Sequence, residues 1–220
     1  MNEELKKIQK NVEKFHQGVS QTLIPLYPGI ELCYLTFSTD SFSVRHKAIS
    51  HIIQINYCKS GHLMWEMKNG NRIYLNPGDF SLHTMIACTD SVLTIPNNMY
   101  QGLSIYIDLP KASGNPPDLL ENSNIFETVL PKRFSQNDSP VFLAGNEQTE
   151  SIFSAFYDQP ETLTLPYQKI KVLELLLYLT KMEFTPQNKL VEYQFELTET
   201  IRKIHDQLLQ HMEQRITIEE

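Results

Sequence analysis

Leu63-Met64-Trp65-Glu66-Met67-Lys68-Asn69-Gly70-Asn71-Arg72-Ile73-Tyr74-Leu75-Asn76-Pro77-Gly78-Asp79-Phe80 reverses direction twice in quick succession. Asn69-Gly70 separates two short runs of aromatic, β-branched and large apolar residues. Both residues tolerate the positive φ that a type I′ turn requires, so the flanking runs are predicted to pair as an antiparallel hairpin. Asn76-Pro77-Gly78-Asp79 marks the next reversal, a turn found in β proteins of many kinds. Alternation puts Leu63, Trp65 and Met67 on one face of the first strand and Met64 and Glu66 on the other, without saying which face points inward.

The same texture extends outward from this hairpin. Ile30–Phe37, Phe42–His46, Ile52–Cys58, Leu63–Met67, Arg72–Leu75, Phe80–Met85 and Gln101–Leu109 are short β-branched and aromatic runs broken by turn residues, and they predict a sandwich or barrel. Upstream, Ile8, Val12, Phe15 and Val19 recur at steps of four and three, which predicts an amphipathic helix over roughly residues 3–18. Downstream of Pro110 the chain loosens through Lys111–Pro117, with a short helix expected near Pro117–Asn122. It then turns helical. Glu147–Tyr157 carries Ile152, Phe153, Phe156 and Tyr157 on one side, Pro166 opens a long helix toward Glu183, and Thr185-Pro186 breaks it. Val191–Gln214 is expected to form a further helix with a seam of Leu197, Ile201, Ile204, Leu208 and His211, too short to argue a coiled coil. Arg215-Ile216-Thr217-Ile218-Glu219-Glu220 reads as the opening of another helix, Thr217 and Glu220 forming a capping box. The expected organisation is a helix over 1–20, a barrel over 21–110, a helical region over 111–190, a connector over 191–214, and at 215–220 the start of a domain that the chain is expected not to contain in full.

Composition removes several function classes. The net charge is −7 and no lysine or arginine stripe occurs, so no surface is expected to neutralise phosphates and the chain should not hold nucleic acid alone. Three widely spaced cysteines without a Cys-x-x-Cys pair fit a reducing compartment. Met1–Gln17 is too charged for a signal peptide, and no apolar run approaches the ~20 residues of a membrane span. A cytoplasmic protein without membrane attachment is expected. No Gly-x-Ser-x-Gly elbow, phosphate-binding glycine loop or dinucleotide fingerprint is present, and eight glycines leave few places for a backbone-cradled phosphate. No catalytic residue and no cofactor are therefore nominated, and the chain is expected not to be an enzyme.

The long helix is apolar around most of its circumference: Ile170, Val172, Leu173, Leu175, Leu176, Leu177, Tyr178 and Leu179. A helix on a monomer surface keeps a polar face, so this one is expected to lie on the barrel with one side and on a second subunit with the other, the alternative being a central core helix within one subunit. Val172, Leu175, Leu176 and Leu179 are assigned to the dimer face; Ile170, Leu173 and Leu177 form the opposite one. Glu174, within helical reach of Lys171 and Tyr178, reads as a structural carboxylate.

Gly70 and Leu75-Asn76-Pro77-Gly78-Asp79, set in a multistrand region, resemble the second strand-turn element of the cupin barrel. Metal-dependent cupins add a His-x-His pair that this sequence lacks. His46, His51, His62 and His83 lie in or near strands and Glu66 follows His62 by four, so a metal site assembled in space is kept as an alternative, with no metal ligand nominated. The order of parts, barrel, helical pair, connector and Arg-Ile-Thr-Ile-Glu-Glu, resembles the amino-terminal sensor and dimerisation domain of AraC-type (AraC/XylS) transcription regulators. Ile53–Asp108 corresponds to the barrel, Leu163–Leu179 to the dimerisation helices and His211–Glu220 to the entry of the DNA-binding domain. Leu165-Pro166-Tyr167 and Lys171-Val172-Leu173-Glu174-Leu175-Leu176 look especially like a branch of that family.

What the resemblance implies is an α+β fold, a cupin-like antiparallel β-barrel (jelly roll) followed by a helical dimerisation and connector region. It also implies a cytosolic homodimer in which a small-molecule effector or protein partner occupies the barrel. DNA would be contacted only through a C-terminal helix-turn-helix domain. Effectors in that family range from sugars to fatty acids. Tyr57, Trp65, His83, Met85 and Tyr106 are the expected ligand-binding residues, because they put aromatic, polarizable and hydrogen-bonding groups on barrel strands. Two other readings remain: a cupin-like metal-dependent enzyme, and a domain that binds a protein partner without a small ligand.

Overall fold

A computed structural model of the chain describes residues 2–68, 70, 72–134 and 140–182. Asn69 of the hairpin turn, the break at Thr185-Pro186, the connector helix of 191–214 and the capping box at Thr217 lie outside the described residues.

The chain opens with α1 (Glu3–Phe15), which starts where the Asn2 side chain accepts the amides of Glu4 and Leu5. Nine strands follow: β1 (Val19–Tyr27), β2 (Ile30–Phe37), β3 (Ser41–Arg45), β4 (Ile49–Gly61), β5 (Leu63–Glu66), β6 (Arg72–Leu75), β7 (Phe80–Met85), β8 (Asp90–Thr94) and β9 (Tyr100–Asp108). Short helices α2 (Leu109–Gly114) and α3 (Leu130–Phe134) precede β10 (Val141–Leu143), and α4 (Glu147–Ser154) and α5 (Thr164–Lys181) complete the fold. The strands form a six-stranded antiparallel sheet in the order β1-β2-β9-β4-β7-β10, faced by a four-stranded sheet in the order β3-β8-β5-β6. The class is α+β, a cupin-like antiparallel barrel with helices following it.

The hairpin predicted around Asn69-Gly70 forms, with Leu63 opposite Leu75 and Trp65 opposite Ile73, and Gly70 has φ 82°. The Pro77-Gly78 turn is held by Asp79, whose carboxylate accepts the backbone and side-chain amides of Asn76 at 3.0 Å each. Its other oxygen accepts the Gly145 amide at 3.3 Å, tying the turn to the segment that leads into α4.

Three strands lie outside the predicted set. β1 carries Pro25 and a polar start, Ser20-Gln21-Thr22; it forms because it sits at the sheet edge, where a missing N–H is tolerated, and its register shifts between Pro25 and Tyr27. β8 has two apolar residues side by side, exposed Val92 and buried Leu93, the latter paired opposite Phe42 of β3. β10, within the range assigned to the helical region, adds three residues to the far edge of the large sheet beside β7.

Both faces of the large sheet are covered. On one side Ile30, Leu32, Ile53, Ile55, Leu103, Ile105 and Ile107 pack under the helices with Phe126, Phe153, Phe156 and the inner stripe of α5. On the other, Cys33, Leu35, Phe37, Tyr100 and Tyr106 meet Phe42, Leu63, Trp65, Ile73, Leu75 and Leu93 of the small sheet, with Leu5 and Val12 of α1 closing one end.

The faces of α5 differ from the expectation. Val172, Leu175, Leu176 and Leu179, assigned to a partner subunit, are each fully buried in the chain's own core, and Leu173 is buried as well. The three-four spacing of 172, 175, 176 and 179 makes the stripe that fits the sheet, whereas Tyr167, Ile170 and Leu177 remain 39%, 59% and 45% exposed. Glu174 pairs with Lys171 at 2.8 Å, but Tyr178 instead takes the side-chain amide of Asn146 at 3.0 Å.

Leu176→Ala is expected to cost about 2–5 kcal/mol in denaturant unfolding, the usual range for emptying a fully packed leucine site. Leu177→Ala should change stability by no more than about 0.5 kcal/mol. Equal effects of the two substitutions would contradict the orientation of α5.

Candidate functional site

Between the sheets and under α1 lies a cavity of about 60 Å³. A single water needs roughly 10–15 Å³, so the space suits a ligand of a few heavy atoms. Leu5, Ile8, Gln9 and Val12 of α1 cover it; Trp65, Met85, Leu93 and Phe42 form apolar walls; Gln54, Asn56, Ser104 and Tyr106 form a polar floor; and His46 and Cys88 stand at one side.

The floor follows from strand alternation. In Ile52-Ile53-Gln54-Ile55-Asn56-Tyr57 the odd positions face the helices, so both amides point into the barrel, and β9 sends Ser104 and Tyr106 inward beside them. The Gln54 amide donates to Asn56 Oδ1 at 2.7 Å and reaches the hydroxyls of Ser104 and Tyr106 at 3.3 Å each. Ser104 donates to Asn56 Oδ1 at 2.6 Å, and Asn56 Nδ2 donates to Ser81 at 3.3 Å. These groups are all buried. A connected network makes such burial tolerable, since an unpaired buried amide costs about 1–3 kcal/mol.

Two members of the interior have polar atoms without a hydrogen-bond partner among the described residues: Trp65 at Nε1, and His83 at both ring nitrogens. The rings meet edge to face, 4.9 Å between centroids. Burial, with a smaller contribution from His46, pulls the His83 imidazole down from 6.5 to about 3, so it is neutral and offers one donor and one acceptor. Burial likewise pushes the Tyr106 phenol well above its usual range, keeping it protonated. Among the described residues lining the cavity there is no Asp, Glu, Lys or Arg. A charged ligand would enter without a counterion, at large desolvation cost; an uncharged one with hydrogen-bonding groups fits.

Of the five expected ligand-binding residues, Trp65, Met85 and Tyr106 line the cavity, and His83 packs against Trp65. Tyr57 does not belong to it. Its odd position on β4 turns it to the helical side, where its ring stacks on Phe153 at 4.1 Å and its hydroxyl donates to Glu150 at 3.1 Å. Gln54, Asn56 and Ser104 escaped the sequence reading, although two amides alternating with isoleucines in an otherwise apolar strand are a usable signal. Among the described residues no group of three or more His, Cys, Asp and Glu is placed to hold a metal ion. Of the four histidines in or near strands, His46 lies by Cys88, His83 by Trp65 and close enough to His46 to feel its charge, His62 is stacked on Tyr74, and His51 is exposed. A wider groove of about 600 Å³ runs between Tyr27, Pro28, the 114–119 loop and Leu173, but none of its lining side chains has a buried polar atom left without a partner.

The sequence matches no family model and none of the curated proteins. Solved structures similar to it include the cupin domain of an XRE-family transcriptional regulator from Enterobacter cloacae, 11% identical, covering 41% of this chain and 97% of that one, with a TM-score of 0.35. KdgF from a Halomonas species is 16% identical over 42% of this chain and 81% of its own, with a TM-score of 0.35. An HTH_3-family transcriptional regulator from Vibrio cholerae is 9% identical over 46% of this chain and 58% of its own, with a TM-score of 0.37. No helix among the described residues is long and apolar enough to cross a membrane.

The neutral His83 sets a pH dependence. An unfolded chain takes up a proton at this histidine near 6.5, while the folded chain refuses it down to about 3. The unfolded state therefore binds more protons in that window, so stability is full above about 6.5 and falls as pH drops toward 3, by up to about 1.4 kcal/mol per pH unit. His83→Gln should flatten the slope of unfolding free energy against pH by about 1 kcal/mol per unit in that range. Parallel slopes for the two proteins would show that His83 is not held neutral.

Proposed function

We propose that the barrel binds a small uncharged molecule and that the chain is the sensing and dimerisation part of an AraC-type transcription regulator acting in the cytoplasm. The observation that carries this reading is the cavity itself, with apolar walls, a connected polar floor and unpartnered ring nitrogens behind them. Apolar side chains would fill a barrel interior at lower cost, so an amide and hydroxyl network there serves the strand register, a ligand, or both. The order of parts in the sequence supports the regulator assignment, with DNA contact placed in a C-terminal helix-turn-helix domain. In this reading the chain is a binding module and not an enzyme.

The outer face of the same sheet offers a route for the signal. β4 and β9 supply the polar floor on one side and Ile53, Ile55, Leu103, Ile105 and Ile107 on the other, within the same packed cluster as α5. A ligand that shifts these strands must shift the inner stripe of α5, since close-packed interiors pass displacement on. The exposed side of α5, with Tyr167, Ile170 and Leu177, is then the dimer surface, in place of the four buried residues first assigned to it.

A thermal-shift screen of small uncharged metabolites should find ligands that stabilise the chain, by about 2.7 kcal/mol at a hundredfold excess over the dissociation constant. Trp65 fluorescence should report the same event. Trp65→Phe should weaken a confirmed ligand at least tenfold, whereas Tyr57→Phe, on the helical side, should leave its affinity unchanged. If no uncharged compound binds and only carboxylates or phosphates do, the ligand class is wrong.

For the dimer, light scattering on the wild-type chain at tens of micromolar should give twice the monomer mass. Ile170→Asp combined with Leu177→Asp should give a folded monomer with a cooperative melting transition that no longer depends on protein concentration. A monomeric wild type removes the dimer from the proposal, and a dimer that survives both substitutions moves its interface elsewhere.

A further inference from the structure

Cys88 and His46 bring thiol chemistry to the cavity wall. Cys88 lies in the turn between β7 and β8, His46 just after β3, and both line the cavity. The His46 tautomer is set by its neighbour: Nδ1 lies 2.7 Å from the Lys47 carbonyl, which only accepts, so Nδ1 carries a proton. In the neutral ring Nε2 then presents its lone pair, 3.4 Å from Cys88 Sγ. The single S–H has one other acceptor, Gln54 Oε1, at 3.8 Å. A thiol, a base in contact with it and a carbonyl that orients the base together form a nucleophile, base and orienting group.

The three cysteines make an internal comparison. All are buried, and burial pushes each thiol up to about 12, so none is a resting thiolate. Their partners differ. Cys33 accepts the Gln9 side-chain amide at 2.9 Å, and Cys58 faces the carbonyls of Ser60 and Gly61 at 3.8 and 3.5 Å, groups that cannot take its proton. Cys88 alone has an imidazole lone pair beside it, and of the three it alone lines the cavity. Trp65, on the wall of the same cavity, is 5% exposed, and its indole N–H is buried without a partner among the described residues.

We propose that the cavity captures small α,β-unsaturated carbonyl compounds covalently, with Cys88 as the nucleophile and His46 as the base that takes its proton. As Sγ bonds to the β-carbon, the carbon–carbon π bond opens toward the carbonyl, and the S–H proton passes to His46 Nε2. The enolate is then protonated at the α-carbon by the same imidazolium. No oxidant, reductant or leaving group takes part. The proposal rests on the barrel being a ligand cavity and names the reactive class of its ligand; an uncharged carbonyl compound of a few heavy atoms meets both the size and the charge limits of the site.

The test uses methyl vinyl ketone as electrophile and butanone, its saturated counterpart, as a ligand that cannot add. Intact-mass and peptide mapping at neutral pH should find one adduct, at Cys88, formed at least tenfold faster than any at Cys33 or Cys58. His46→Gln should slow it by about 100-fold, the low end of what general-base assistance provides. Cys88→Ala should abolish it. Equal modification of the three cysteines, or an unchanged rate in His46→Gln, overturns the proposal. Should His46→Gln lose the wild-type melting transition, the rates at the three cysteines within the wild-type chain decide alone. If butanone raises the melting temperature while methyl vinyl ketone leaves Cys88 unmodified, covalent capture fails and the ligand cavity stands. If neither compound acts on the chain, covalent capture fails and the cavity reading loses this ligand class with it.

Discussion

Every part of this molecule depends on the large sheet having two unlike coverings. Helices lie on one face, and a cavity with the small sheet behind it lies on the other, so strand alternation decides which residues build a core and which build a site. On β4 the consequence is sharp. Ile53, Ile55 and Tyr57 belong under α4 and α5, and Gln54 and Asn56 belong over the cavity. Slipping the strand by one residue would press two amides into the packed helices and expose the polar floor to aliphatic side chains. Each amide so stranded would cost about 1–3 kcal/mol, so the polar residues that form the site also specify the register. Gly102 on β9 belongs to the same arrangement: a Cβ there would come within 2.4 Å of the Tyr57 carbonyl, which accepts the Tyr100 hydroxyl across the interior.

That constraint also explains what the sequence could and could not disclose. The hairpin at Asn69-Gly70 and the strong runs around it are local facts, legible because turn chemistry and side-chain alternation act over a few residues. β1, β8 and β10 were not legible because their stability is borrowed from neighbours; β1 even carries a proline that only an edge position accommodates. The direction each face points is a tertiary property. Trp65, Met85 and Tyr106, chosen by residue type, line the cavity, while Tyr57, chosen on the same grounds, has the opposite parity and faces the helices. The same limit governed α5, where an apolar circumference declares that two sides need cover but not which stripe the sheet will take. His46 and Cys88 are 42 positions apart, and only the turns that follow β3 and β7 bring them together, so no spacing rule could have paired them.

The cavity has a wall that does not belong to either sheet. α1 contributes Leu5, Ile8, Gln9 and Val12, yet its polar ties concentrate at its start, where Asn2 donates to Asp108 at 3.0 Å and to Glu31. Asp108 also accepts the Lys111 amide that opens α2, so the beginning of α1 is fastened to the end of β9. Farther along, α1 is held by the Gln9 contact to Cys33, by Glu13 accepting the Gln21 amide, and by apolar contact with the barrel mouth. A ligand in the cavity therefore touches two things that differ in how they are held: a helix anchored most firmly at one end, and a sheet locked on both faces. Filling the space strengthens the apolar seat of α1 directly, because dispersion contacts are lost across any gap. No α5 residue lines the cavity, so the effect on α5 that the proposed function requires would be indirect, through the backbone shared by the inward and outward residues of β4 and β9. In the proposed reading, the isoleucines of these strands and the buried leucines of α5, members of one packed cluster, are the contacts through which a shift of the sheet would reach the helix.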